Sequence, residues 1–182
     1  MADYHTYTDT DTDTDKLTDE DRSWLSPKID AAAFVVGALS GAVLNTVWMF
    51  LFPTEHMRYL FGSGLVVSAV GSEYFGLALG SGSFKAFLLE FNMFLAVPLL
   101  VIVGLAFETP LVAAVWLLHP LYDLLHHPAY LVGLSDKIGA VKVHPKMAFY
   151  PCWCAGIDVV QGLWILYHFN PEKLSFNLVN ST

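Results

Sequence analysis

His119, Asp123, His126 and His127 are the side chains of this chain most able to do chemistry. They sit in one run, HPLYDLLHHP, from His119 to Pro128. Imidazole and carboxylate can bind a metal ion, pass a proton, or hydrogen-bond to one another. The run closes a segment apolar enough to cross a membrane. Ionisable groups there are costly, and they default to a functional reading. At ~100° per residue, His119, Asp123 and His126 fall within a ~60° arc of one helix face. His127 sits at the edge of that arc. Beside Pro128 it reads as the helix end at the membrane interface.

Other acids lie at matching depth. At ~1.5 Å per residue, Glu73, Glu90 and Asp158 lie about 8–12 Å in from one end of their helices. By the same rise Asp123 is about 6 Å deep and His119 about 12 Å. All five fall in one half of a ~30 Å hydrocarbon core. Cys154, Asp158 and Gln161 share a face of the last helix. The sequence therefore predicts a polar pocket, with His119, Asp123 and His126 on one wall and Asp158 opposite. Glu90 and Glu73 lie nearby, and His127 and Cys154 at the margin. His119, Asp123, His126 and Asp158 are the candidate metal ligands, suited to zinc or iron. No catalytic set is assigned. The plain alternative is that these groups only hydrogen-bond between helices and lock their packing.

The elements that must position them are membrane spans. Of the 182 residues 55% are hydrophobic and 14% charged, where soluble domains run nearer a quarter charged. The charge is also segregated: residues 1–30 carry nine acids and three bases. The fold class expected is an all-α, multi-pass transmembrane bundle of about five spans, near 31–52, 59–80, 86–107, 110–127 and 149–167. Residues 1–29, rich in Thr-Asp alternation, are expected to be a disordered acidic tail. Residues 171–182 form a short polar tail. Gly37-x-x-x-Gly41 and Gly76-x-x-x-Gly80 are hints of close helix approach. Pro98 lies inside the third span, Pro110 begins the fourth and Pro128 ends it. The aromatic residues from Phe149 to Phe169 suit a lipid-facing or belt role.

Five spans place the chain ends on opposite sides. Seven bases (Lys16, Arg22, Lys28, Lys85, Lys137, Lys142, Lys146) then share the N-terminal side, and Arg58 and Lys173 the other. The positive-inside rule puts the N-terminus, the 129–148 connection and the mouth of the polar pocket in the cytoplasm, with the plasma membrane as the expected location. Cys152 and Cys154, two residues apart, point to different sides of a helix and form no mutual disulfide. The net charge of −8 comes mostly from the tail and does not suggest nucleic-acid binding. The lipid bilayer is the expected partner, and a homo-oligomer stays open.

A run ending in His-His invites comparison with di-iron membrane desaturases. Those need about eight histidines in several boxes, and this chain has seven in all, so that reading is excluded. Membrane ceramidase-like hydrolases also combine Asp, His and zinc, but their spaced motifs are not evident here. From 31 to 168 the chain resembles a family of small bacterial and archaeal integral-membrane proteins of unknown function. In that family an H-x-x-W/Y-D-x-x-H-H helix precedes a Pro/Cys segment with an Asp. The resemblance rests on HPLYDLLHH followed by YPCWCAGIDVVQG, and implies His119, Asp123, His126, His127, Cys154 and Asp158 as the matching residues. It carries no activity. Three readings compete on the residues alone: a metal-binding site, which could be enzymatic; transport or binding of protons, cations or a small solute; and a purely structural polar layer.

Overall fold

The computed structural model describes residues 18–54, 57–58, 67, 73–107 and 110–168. All regular structure among them is helical. The helices are α1 (Asp19–Trp24), α2 (Pro27–Leu51), α3 (Glu73–Ser81), α4 (Phe84–Ala106), α5 (Leu111–His126), α6 (Val132–Ile138) and α7 (Phe149–His168). Pro27 opens α2, where its missing N–H breaks no helical bond. The Ser83 hydroxyl caps α4 by accepting from the Ala86 N–H. The end of α5 follows from Pro128: the residue before a proline is pushed out of the helical region, and His127 is extended.

Among the described residues three stretches are long and apolar enough to cross a membrane: Pro27–Leu51, Phe84–Gly104 and Pro145–His168. Leu111–His126 is a shorter apolar helix. The outward faces are apolar too, with Leu39, Val43, Phe50, Leu99, Ile102 and Leu163 exposed. Most buried charged and polar groups, by contrast, face inward. That inversion suits a lipid surround.

Helices α2 and α7 run side by side in the same direction. Asp30 lies level with Cys152, Gly37 with Trp153 and Gly156, and Gly41 with Ile157 and Val160. Their backbones nearly touch. A Cβ on Gly37 would meet the Trp153 carbonyl oxygen at 2.0 Å, and one on Gly156 the Phe34 carbonyl oxygen at 2.2 Å. Helix α5 runs antiparallel to α7, with Leu117 against Gly162 and His119 against Asp158. Helix α4 runs antiparallel to α5, with Gly104 against Leu111 and Val112. At that end Val97, Val101, Val112, Ala113, Trp116 and Ile165 form an apolar core. The polar layer lies toward the other end.

Several expectations are adjusted by these coordinates. The acidic tail is expected to be structureless to residue 29, but Asp19–Trp24 is helical. The cause is local: Thr18 and Asp21 form a reciprocal capping box, and Lys146 reaches Glu20 at 2.8 Å. The Thr-Asp repeat up to residue 17, Glu55, His56 and the 171–182 tail lie outside the described residues, as does most of the expected 59–80 span. Gly76 and Gly80 meet nothing within 4 Å, so they make no close approach among the described residues. The 129–148 connection is ordered by α6, which starts after Leu131 at positive φ and ends on Gly139 at positive φ. The Lys85 ammonium caps its last turn, 2.7 Å from the Lys137 carbonyl.

Candidate functional site: a buried carboxylate–imidazole layer

His119, Asp123 and Asp158 meet between α5 and α7, all buried. His119 Nδ1 lies 2.7 Å from Asp158 Oδ2 and 3.7 Å from Asp123 Oδ2. The i, i+4 step brings Asp123 under His119 on the same helix face. Tyr74, from α3, donates its hydroxyl proton to Asp123 Oδ1 at 3.1 Å. Asp123 Oδ2 and His119 Nε2 are buried with no hydrogen-bond partner among the described residues. One ligand atom from each of the three residues fits within a 4.8 Å cluster. Two ionised carboxylates beside one imidazolium leave one uncompensated negative charge; a proton on one carboxylate, or a divalent ion replacing the Nδ1 proton, would each bring the cluster to neutrality. An unpaired charge away from water is strongly unfavourable.

His126 does not join this trio. It lies seven residues, or ~10.5 Å of helix rise, beyond His119. Its Nδ1–H donates to the Val141 carbonyl, and its ring stacks on Tyr74 with centroids 3.6 Å apart. Its Nε2 faces Glu90 Oε1 at 3.6 Å, and both side chains are fully buried. The other Glu90 oxygen accepts from the Tyr122 hydroxyl. Glu73 sits apart from both groups, accepting from the Tyr150 hydroxyl at the start of α7. Cys154 is a buried free thiol on α7.

His127 is not exposed at its helix end. It is fully buried and belongs to a second cluster with Asp30 and Cys152. Its Nε2 lies 3.4 Å from Asp30 Oδ1, and its Nδ1 accepts the Ala129 backbone N–H at 3.1 Å. Tyr130 stacks on the His127 ring and donates to Asp30 Oδ2 at 2.6 Å. The three potential ligand atoms of Asp30, His127 and Cys152 also lie within 4.8 Å. The tautomer argues against a metal there. A neutral ring that accepts at Nδ1 carries its proton on Nε2, so His127 is a donor to Asp30 rather than a ligand. This cluster is a hydrogen-bonded clasp joining the start of α2 to the end of α5. The Asp30 carboxylate also holds the Tyr130 phenol proton, pushing its pKa up to about 12. A phenol so held stabilises the fold fully below its ordinary value near pH 10, and loses that contribution as pH rises through 12. In an ultraviolet titration, Asp30→Asn is expected to return this phenol towards 10; an unchanged titration would remove the clasp.

Sequence reasoning places His119, Asp123 and Asp158 together and the coordinates do the same, while Glu73, Glu90, His126 and His127 occupy other clusters. It overlooks Asp30, counted with the acidic tail, and four tyrosines. Tyr74, Tyr122, Tyr130 and Tyr150 each donate to a carboxylate: Asp123, Glu90, Asp30 and Glu73. The signal was available, since a buried tyrosine hydroxyl needs a partner and the nearest groups short of donors are these acids. The Gln161 side chain, on the Asp158 face, donates to the Gly41 carbonyl at 3.2 Å.

Fold and site together define a class: an all-helical protein with helices of membrane-spanning length that enclose a layer of buried His, Asp and Glu. Comparison with protein-family models, curated proteins and solved structures gave no match.

Proposed function

We propose that this chain is an integral membrane protein that binds a divalent transition-metal ion, of the zinc or iron class, at His119, Asp123 and Asp158. The observation that carries the reading is the meeting of these three buried side chains from two helices, within 4.8 Å, with one carboxylate oxygen unpartnered among the described residues. Mixed imidazole and carboxylate donors suit such ions. Binding would release the Nδ1 proton, so occupancy should rise with pH. A bound ion would act as a Lewis acid able to lower the pKa of a coordinated water.

In this reading the bundle has five crossings, and the site opens towards the cytoplasm. Helix directions support it. Residue pairing makes α2, α4 and α7 run one way and α5 the other, as alternate crossings require. The excess of bases on the side of the N-terminus and the 129–148 connection gives the orientation. Proton relay is a second reading with its own support. A carboxylate holding one imidazole nitrogen, while the other has no partner among the described residues, is the arrangement that accepts and returns a proton.

Zinc titration of the full chain in detergent tests the metal reading. One equivalent should bind at this centre and be lost in Asp158→Asn. Wild type and variant binding the same number of ions would overturn it.

A further inference from the structure

Glu90 and His126 present the atoms of a metal site whose outer half is already built. Histidines that bind metal usually donate their other N–H to a carbonyl or carboxylate, and ligating carboxylates are themselves hydrogen-bonded. His126 donates Nδ1–H to the Val141 carbonyl. That fixes a lone pair on Nε2 in the neutral ring. Glu90 Oε2 accepts from Tyr122. The atoms left over, His126 Nε2 and Glu90 Oε1, point at each other. Both are fully buried, and neither has a hydrogen-bond partner among the described residues. Two acceptors face to face repel unless something positive sits between them.

The separation discriminates between occupants. A direct hydrogen bond would bring nitrogen and oxygen to ~2.7–3.2 Å. Bonds of ~2.0–2.2 Å to one tetrahedral ion hold two ligand atoms ~3.4 Å apart. The observed distance is 3.6 Å.

We infer that Glu90 Oε1 and His126 Nε2 hold a second divalent ion of the zinc class, separate from the one proposed at His119, Asp123 and Asp158. With only two protein donors, one of them anionic, this ion keeps open positions and one positive charge, which a hydroxide or another anion completing the coordination would neutralise. It is therefore the weaker and more exchangeable of the two. Tyr74 links the centres: its hydroxyl bonds Asp123 and its ring covers His126.

The test is the zinc bound by the full chain in detergent, measured by equilibrium dialysis at a fixed, saturating free zinc concentration. Wild type should carry two equivalents. Glu90→Gln, which keeps the size and the Tyr122 acceptor, and His126→Gln should each carry one. Both should remain folded by circular dichroism. Asp158→Asn should also carry one, and Glu90→Gln/Asp158→Asn none. If Glu90→Gln and His126→Gln keep the wild-type content, the second site does not exist, and a proton bridges the pair instead. If Glu90→Gln loses an equivalent while Asp158→Asn loses none, the second site stands and the His119 centre fails. Loss of folding in His126→Gln leaves the decision with Glu90→Gln, where an unchanged content overturns the inference.

Discussion

Gly156→Ala is expected to cost about 3 kcal/mol or more, beyond the usual range for overpacking a core. The added methyl group would meet the Phe34 carbonyl oxygen at 2.2 Å and the Ala38 nitrogen at 2.8 Å. Those are backbone atoms of a regular helix, so no side chain can rotate away. Helices α2 and α7 would have to separate. Separation also moves Asp158, two residues further along, so the variant should lose metal as well as stability. Gly37→Ala should behave alike, because its methyl would meet the Trp153 carbonyl oxygen at 2.0 Å. Gly76→Ala is the control. Among the described residues nothing lies within 4 Å of its added methyl, and alanine is the better helix former by about 1 kcal/mol. Thermal melts in detergent check the set. A Gly156→Ala protein that melts with wild type would refute the close α2–α7 contact.

Asp158→Asn is expected to change sign with the metal. In the metal-free protein it removes one of two buried carboxylates beside a single imidazole, so the variant should be at least as stable as wild type. With zinc at 100 times the dissociation constant, wild type gains about 2.7 kcal/mol by linkage. The variant should gain far less from the ion lost at this centre. Losing a partner outside the ligand shell commonly weakens metal binding ~10–100-fold, and losing a ligating carboxylate should exceed that. The stability order therefore crosses between zinc-free and zinc-saturated buffer. A carboxylate that served only to lock α5 to α7 would give a different result, with the variant weaker by the same margin in both buffers.

Part of this site was readable from residue order. His119 and Asp158 were placed at one depth by counting residues from the helix ends, and Asp123 follows His119 by the i, i+4 step. His126 shares the helix face of His119 and Asp123 but not their axial position. A shared face does not bring residues two turns apart to one ion, and ~10.5 Å of rise separates them. His127 is enclosed because Asp30, from the start of α2, and Tyr130, just past Pro128, close over its ring, and neither contact can be read from residue order. Asp30 was hidden by the acids that precede it; only its burial against Tyr130 and His127 distinguishes it from them. Gly156 gave no signal of its own, since its need for a missing side chain is set by the facing helix. Gly37 and Gly41 are legible as a motif, whereas Gly76 and Gly80, with the same spacing, make no close contact among the described residues. The motif states what a helix permits, and the neighbour decides whether it is used.

X-ray absorption at the zinc edge, on the full chain loaded to stoichiometry, tests the central claim most directly. The account predicts only nitrogen and oxygen neighbours at ~2.0–2.2 Å, with an imidazole signature that weakens in His119→Ala. A sulfur neighbour at ~2.3 Å would place the ion with Cys152, Asp30 and His127 instead, and would contradict the account, as would a chain that takes up no zinc.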